Sequence, residues 1–334
     1  MKAAILEGLH KPLIVQEIPT PAPAAGQALV RIKAAALNHR DVWIQGGLYP
    51  GLRFPVQLGS DGAGVVEAVG DTSDTTWVGK EVIINPSLNW GPNHRFYSRE
   101  FKILGMPDPG TFAEYITIST DYLVEKPSHL SFEEAAAIPL AGLTAWRSLM
   151  TRGQFLAGQK VLVTGIGGGV ALFAMQFALA GGASEVWVTS GHADKIERAV
   201  ALGAKGGVSY KEPKWEKDLI AQAGLFDVVI DSAGGDGFAK LIDVAAPGSN
   251  IVFYGGTLGN INGIIPAKVF FKQLNIMGST MGTPEEFRQM IQLIERAQLK
   301  PVVDKVYWLE DAELAMRRME AGQQFGKIVL KTGE

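Results

Sequence analysis

Residues 161–182 read VLVTGIGGGVALFAMQFALAGG. Val161-Leu162-Val163 has the unbroken apolar character of a strand buried on both faces. Gly165, Gly167, Gly168 and Gly169 then place four glycines in five positions, so the backbone can turn through φ values that other residues avoid. An almost wholly apolar run follows from Val170 and stops at Gly181-Gly182, as a buried helix with a glycine stop would. Strand, crowded turn and helix make one βα unit.

The small residues fall in the pattern G-x-G-G-G-x-A, with Ala171 last. At a helix start, such a turn lets the backbone come close to a pyrophosphate. The free N–H groups and partial positive charge of the helix end then face the phosphates. The stretch predicts a dinucleotide site at Gly165, Gly167, Gly168, Gly169 and Val170. Strand candidates Lys160–Thr164, Val186–Thr189, Gly207–Ser209, Phe226–Ile230 and Ile251–Tyr254 alternate with helical patterns. That alternation predicts a doubly wound parallel sheet. An NAD(H) site would place a carboxylate about 20 residues on, at the end of the second strand. Here the strand ends in Ser190-Gly191-His192, and Asp194 comes late, in the next helix. Nothing there repels a 2′-phosphate, and Ser190 and Lys195 can bind one, unless Lys195 is simply a solvated helix residue. The expected cofactor is NADP(H).

Outward from this core the texture changes. Residues 1–125 hold short apolar runs cut by Gly, Pro and Asp, which predicts a mostly-β region. Residues 85–110 are rich in Pro, Asn and Gly and read as a long excursion loop, with Thr111–Ile118 resuming as a strand. Ser131 with Glu134 forms a capping box. Further on come a strand at Asn275–Met277, a helix opened by Thr283-Pro284, a helix over about Leu309–Ala321 and a strand at Lys327–Leu330. GKIVL resembles the first region in texture. The middle domain, residues 126–265, is therefore expected to be inserted into an outer domain made of residues 1–125 and 266–334.

The chain has 334 residues, enough for two domains. A net charge of −3 without like-charge blocks gives no hold for nucleic acid or anionic membrane. No run reaches the roughly 18 apolar residues of a membrane span. The opening MKAAILEGLHKPLIVQEIP lacks the apolar region of a signal peptide, so a cytoplasmic protein is expected. With no cysteine, disulfides, thiolate metal sites and cysteine nucleophiles are excluded.

These stretches in order, with PTPAPAAGQALVRIKAAALNHRD, GLYPGLRFPVQLGSDGAGVVEAVG, TFAEYITI, AAAIPLAGLTAWRSL, FDVVIDSAGG and FGKIVL, resemble the medium-chain dehydrogenase/reductase superfamily. That superfamily holds zinc alcohol dehydrogenases and zinc-free quinone oxidoreductases. The resemblance implies an α/β protein: a GroES-like, mostly-β catalytic domain with an inserted Rossmann-fold domain. It implies association as a homodimer or homotetramer. Zinc members carry a catalytic Cys where this chain has Asn38, and His-Glu where it has Ser60-Asp61. They also hold a structural zinc on four cysteines in the excursion loop. His10, His39, His94, His129 and His192 show no paired spacing, so no metal is expected at either place.

Without a Lewis acid, the resemblance is closest to quinone oxidoreductases and enone reductases, which pass hydride from NADPH to a conjugated carbonyl. It implies that Asn38 and Tyr49 line the pocket and hydrogen-bond the substrate oxygen, with Ser60 as a further donor. Thr144 would approach the nicotinamide and Tyr210 the adenosine phosphate. Ser232 would join the cofactor site, as would Phe253, Tyr254, Gly255 and Thr257 at the end of a parallel strand. Asp41 and Asp61 read as caps or ion pairs. Two alternatives stay open: an NAD(P)-dependent alcohol dehydrogenase or carbonyl reductase, and a non-catalytic NADP(H)-binding structural or sensor protein.

Overall fold

The structure, a computed structural model, describes residues 1–70 and 72–333, with the backbone alone for residues 72–74. It divides into two compact units, Met1–Ala141 with Gly282–Glu334, and Gly142–Met281. The bounds therefore fall at 141/142 and 281/282, later at each end than the expected 125/126 and 265/266. Contacts distant in sequence set them. Helix Phe132–Ala136, begun by the Ser131–Glu134 capping box, packs on the outer sheet. Strand Asn275–Gly278 pairs with Ala245–Phe253 in the inner one.

In the outer unit, antiparallel strand Gln27–Ala36 is central. Asp61–Val69 and Tyr115–Ser119 pair with it, and so does Lys327–Lys331 from the other end of the chain. Leu37, Ile44, Leu58, Phe112, Met316 and Ile328 pack its core. Thr111–Phe112 does not join the strand expected at 111–118, because its N–H groups bond Gly59 O and Leu58 O; the strand starts at Tyr115. The expected excursion loop contains a two-stranded ladder, Ser87–Leu88 with Lys102–Ile103. The rings of Trp90, Tyr97 and Phe101 pack mutually, with Tyr97 stacked on Phe101 at 4.6 Å between centroids.

In the inner unit, six parallel strands lie in the order Gly206–Ser209, Glu185–Ser190, Lys160–Val163, Phe226–Asp231, Ala245–Phe253, Asn275–Gly278. Counted along the chain this is 3-2-1-4-5-6, the doubly wound order of a Rossmann domain, with its switch point between the first and fourth strands. Among the described residues no helix is long and apolar enough to cross a membrane.

Candidate active site

Helix His39–Gln45 begins at Asn38, whose N–H donates to Asp41 Oδ2 at 2.8 Å. The Asn38 side chain is committed on both ends. Its Nδ2 donates to Asp61 Oδ2 at 2.9 Å, and its Oδ1 accepts from Lys327 Nζ at 2.7 Å. Lys327 Nζ also donates to Asp61 Oδ2 at 2.8 Å and to Leu37 O at 2.7 Å. Asp61 Oδ1 accepts from Leu140 N–H at 2.8 Å. Asp41 and Asp61 thus serve as cap and ion pair. Burial pushes the Asp41 carboxyl up to about 6, against the opposing charges of Arg40 and Lys327. Its Oδ1 is buried without a partner among the described residues.

Beside this knot, Arg40 Nη1 donates to Ser60 Oγ at 2.6 Å and to Leu104 O at 2.8 Å. Ser60 Oγ itself donates to Leu104 O at 2.7 Å, so its hydroxyl hydrogen is engaged within the protein. The guanidinium lies over the Tyr49 ring, 4.9 Å from its centroid, and Nε donates to the Tyr49 hydroxyl at 3.4 Å. Asn38, Tyr49 and Ser60 are therefore in one cluster, organised by two cations that the motifs did not single out. Lys327 carries a signal, as a charged residue opening the apolar strand KIVLK. Arg40 carries none, because its direction depends on packing around Leu104.

In the inner unit the glycine turn ends at Gly168, the N-cap of helix Gly169–Ala180, which has no side-chain cap. Gly165 (φ 64°) and Gly167 (φ 120°) take left-handed backbone. A Cβ on Gly165 would strike Ser232 Oγ, and one on Gly167 would lie 2.8 Å from Lys195 Cδ. Lys195 is thus folded back over the turn. Asp231, at the end of the fourth strand, accepts from Thr164 Oγ1 at 2.6 Å and from Gly234 N–H at 2.8 Å. These bonds fix both strand ends, and burial raises its pKa.

At the end of the second strand, a Cβ on Gly191 would lie 2.8 Å from the Tyr210 hydroxyl and 2.9 Å from Lys211 Cε. Ser190, Tyr210, Lys211 and Gly191 therefore meet at one strand end; Lys211 was not singled out from sequence. Burial, with the Asp231 charge, raises the Tyr254 phenol. Phe253 packs edge-on against Phe238. Thr257 is exposed, and Thr144 is buried, donating to Met281 Sδ at 3.9 Å. Val170 sits in the first turn of the helix. The open space at Gly168 and the helix start that follows it fit a dinucleotide.

A GroES-like unit from both chain ends, with a Rossmann unit carrying a phosphate-type turn inserted between them in the sequence, defines a nicotinamide-dependent dehydrogenase or reductase. Residues 24–128 match the family described as alcohol dehydrogenase GroES-like domain, and residues 169–296 match zinc-binding dehydrogenase. The chain is 36% identical to a zinc-type alcohol dehydrogenase-like protein, YogA, of Leptosphaeria maculans, over 97% of this chain and 95% of that one. A crystal structure of an NAD-dependent alcohol dehydrogenase superposes with TM-score 0.93 at 40% identity, covering 100% of both chains. The 2-octenoyl-CoA carboxylase reductase CinF, in complex with NADP and 2-octenoyl-CoA, superposes with TM-score 0.88 at 26% identity, covering 99% of this chain and 87% of that one. The chain belongs to the medium-chain dehydrogenase/reductase superfamily and is an oxidoreductase of that type.

The name of the second matched family raises the question of zinc. The donors here do not fit it. Asn38 and both Asp61 oxygens are spent on Lys327, Leu140 and each other. Ser60 is bonded to a guanidinium, and a zinc ion beside two cations meets repulsion. Among the described residues no three His, Cys, Asp or Glu side chains converge as a metal site.

Proposed function

We propose that this protein transfers hydride from NADPH to a quinone or an α,β-unsaturated carbonyl, without zinc. The observation that carries the reading is the cluster of Asn38, Ser60 and Asp61 locked onto Lys327 and Arg40, where the resemblance places zinc ligands. The CinF neighbour, with NADP and an enoyl thioester, supports it.

When bound, the dihydronicotinamide supplies the hydride. The glycine turn and the start of helix Gly169–Ala180 would hold the pyrophosphate through backbone N–H groups. Lys195, Lys211, Ser190 and Tyr210 offer charge and donors to a 2′-phosphate. In the outer unit the Arg40 guanidinium, lying over the Tyr49 ring, sets a positive charge beside the acceptor oxygen, where negative charge develops. A conjugated acceptor spreads that charge, so hydrogen-bond donors suffice where an unactivated alcohol would need a metal to lower its pKa.

The competing reading, an NAD-dependent alcohol dehydrogenase, is favoured by the neighbour at 40% identity. The two separate on enzyme dialysed exhaustively against a chelator. Retained NADPH oxidation by quinones, enones or enoyl thioesters supports the proposal, and loss of all activity restored only by zinc overturns it.

We also propose a homodimer or homotetramer. Strand Asn275–Gly278 ends its sheet, and nearby Ile265, Phe270 and Phe271 are exposed, Phe271 to 79%. A stable monomer by sedimentation at micromolar concentration would refute this.

A further inference from the structure

Arg40 is 5% exposed, and among the described residues no carboxylate lies within ion-pairing distance of its guanidinium. A buried arginine without such a partner is unusual. Its donors are unevenly spent. Nε faces the Tyr49 hydroxyl at 3.4 Å, and both Nη1 hydrogens are taken by Ser60 Oγ at 2.6 Å and Leu104 O at 2.8 Å. Nη2, with two hydrogens, has no protein acceptor among the described residues and is not sealed in the core. The Tyr49 ring, 4.9 Å below, and the Leu104 carbonyl fix the plane of the fork. A charged donor pair held rigid and unspent is what an oxyanion requires, since it need not reorganise as charge develops.

We propose that Arg40 is a catalytic residue whose Nη2 binds the acceptor's carbonyl oxygen, with Tyr49 and Ser60 as positioning residues for its guanidinium. The inference rests on the conjugated-carbonyl reading above. Hydride from NADPH adds to the β-carbon and the nicotinamide is oxidised. The electron pair of the carbon–carbon double bond shifts, leaving an enolate whose negative oxygen accepts from Nη2. A proton from water on the α-carbon completes the reduction, and Arg40 keeps its own protons throughout. In a quinone the same donors meet the oxygen that becomes phenolate.

The test uses 4-nitrophenol, whose absorbance near 400 nm reports its ionisation without turnover. Bound to the parent enzyme, its apparent pKa should fall by about 1 unit or more, as for a charge beside an opposite charge. Arg40→Gln should abolish the fall, and Arg40→Lys should keep part of it, with circular dichroism and thermal midpoints confirming that each variant folds. With an accepted quinone or enone, Arg40→Gln should lower kcat about 100-fold. If the parent fails to bind nitrophenolate at millimolar concentration, or folded Arg40→Gln binds and ionises it as the parent does, the role of Arg40 is overturned. Arg40-dependent nitrophenolate binding in an enzyme that reduces no conjugated carbonyl would uphold the oxyanion site and sink the proposed acceptor class instead.

Discussion

Lys327 Nζ stands 2.8 Å from Asp61 Oδ2, joining residues 266 positions apart in the chain, with both side chains almost wholly inaccessible. The ammonium spends its three hydrogens on Asp61, Asn38 Oδ1 and Leu37 O, and Asp61 takes further bonds from Asn38 Nδ2 and Leu140 N–H. The C-terminal strand is thereby tied to the N-cap of helix His39–Gln45. Removing one member of a complete buried pair leaves an uncompensated charge.

Lys327→Met should therefore cost about 3–5 kcal/mol of stability, read by urea unfolding at pH 7. The double variant Lys327→Met with Asp61→Asn should lose less than the two single losses added together. A single replacement costing under about 1 kcal/mol, the scale of an exposed pair, would contradict the pairing.

Asp41 gives a pH dependence of known sign. Arg40 and Lys327 lower its pKa and Asp61 raises it, but burial dominates and holds it at about 6, above its ordinary 3.8. Between those values the folded chain holds a proton that the unfolded chain releases, so this group makes the fold more stable as pH falls from about 6 to about 4. Above that window the buried carboxylate costs about 3 kcal/mol. Asp41→Asn removes the titration and keeps an acceptor for Asn38 N–H. Its gain in thermal midpoint over the parent should be largest above pH 7 and vanish near pH 4. An equal difference from pH 4 to pH 8 would refute this.

Lys195 and Lys211 should govern cofactor choice. Lys195→Ala and Lys211→Ala should each weaken NADPH binding about tenfold, near the 1.4 kcal/mol of one charged contact, and leave NADH within about twofold. Isothermal titration with both cofactors decides. Equal losses for the two, or tighter NADH binding by the parent, would contradict a 2′-phosphate site.

The aromatic packing in the excursion segment should replace the order that a metal gives elsewhere in the superfamily. Trp90 is buried, its Nε1 donating to Asn93 O at 2.9 Å. Trp90→Ala should expose residues 88–103 to limited proteolysis and cost about 3–5 kcal/mol. Cleavage as slow as in the parent would count against this.

The inner unit was legible because its signals are local. The glycine turn at Gly165–Gly169 and the alternating apolar runs need no distant partner, and Asp194 falls in helix Ala193–Ala201 as its position predicts. The unit bounds were harder to read. Phe132–Ala136 and Asn275–Gly278 belong to sheets assembled from distant strands, and no local pattern shows which. The same holds at the site. Asn38, Tyr49 and Ser60 were visible as motif positions. What binds them was not, since Lys327 arrives from the far end of the chain and Arg40 turns inward toward Leu104 O.

The decisive measurement is a pair of rates on one metal-stripped preparation: oxidation of a primary alcohol with NADP, and reduction of a small quinone or enone with NADPH. A site built on Arg40, Tyr49 and the Lys327–Asp61 knot should give ready quinone or enone turnover, and alcohol oxidation slower by at least about 100-fold, the worth of well-placed donors to a developing oxyanion. Fast alcohol oxidation beside no quinone or enone turnover would contradict it.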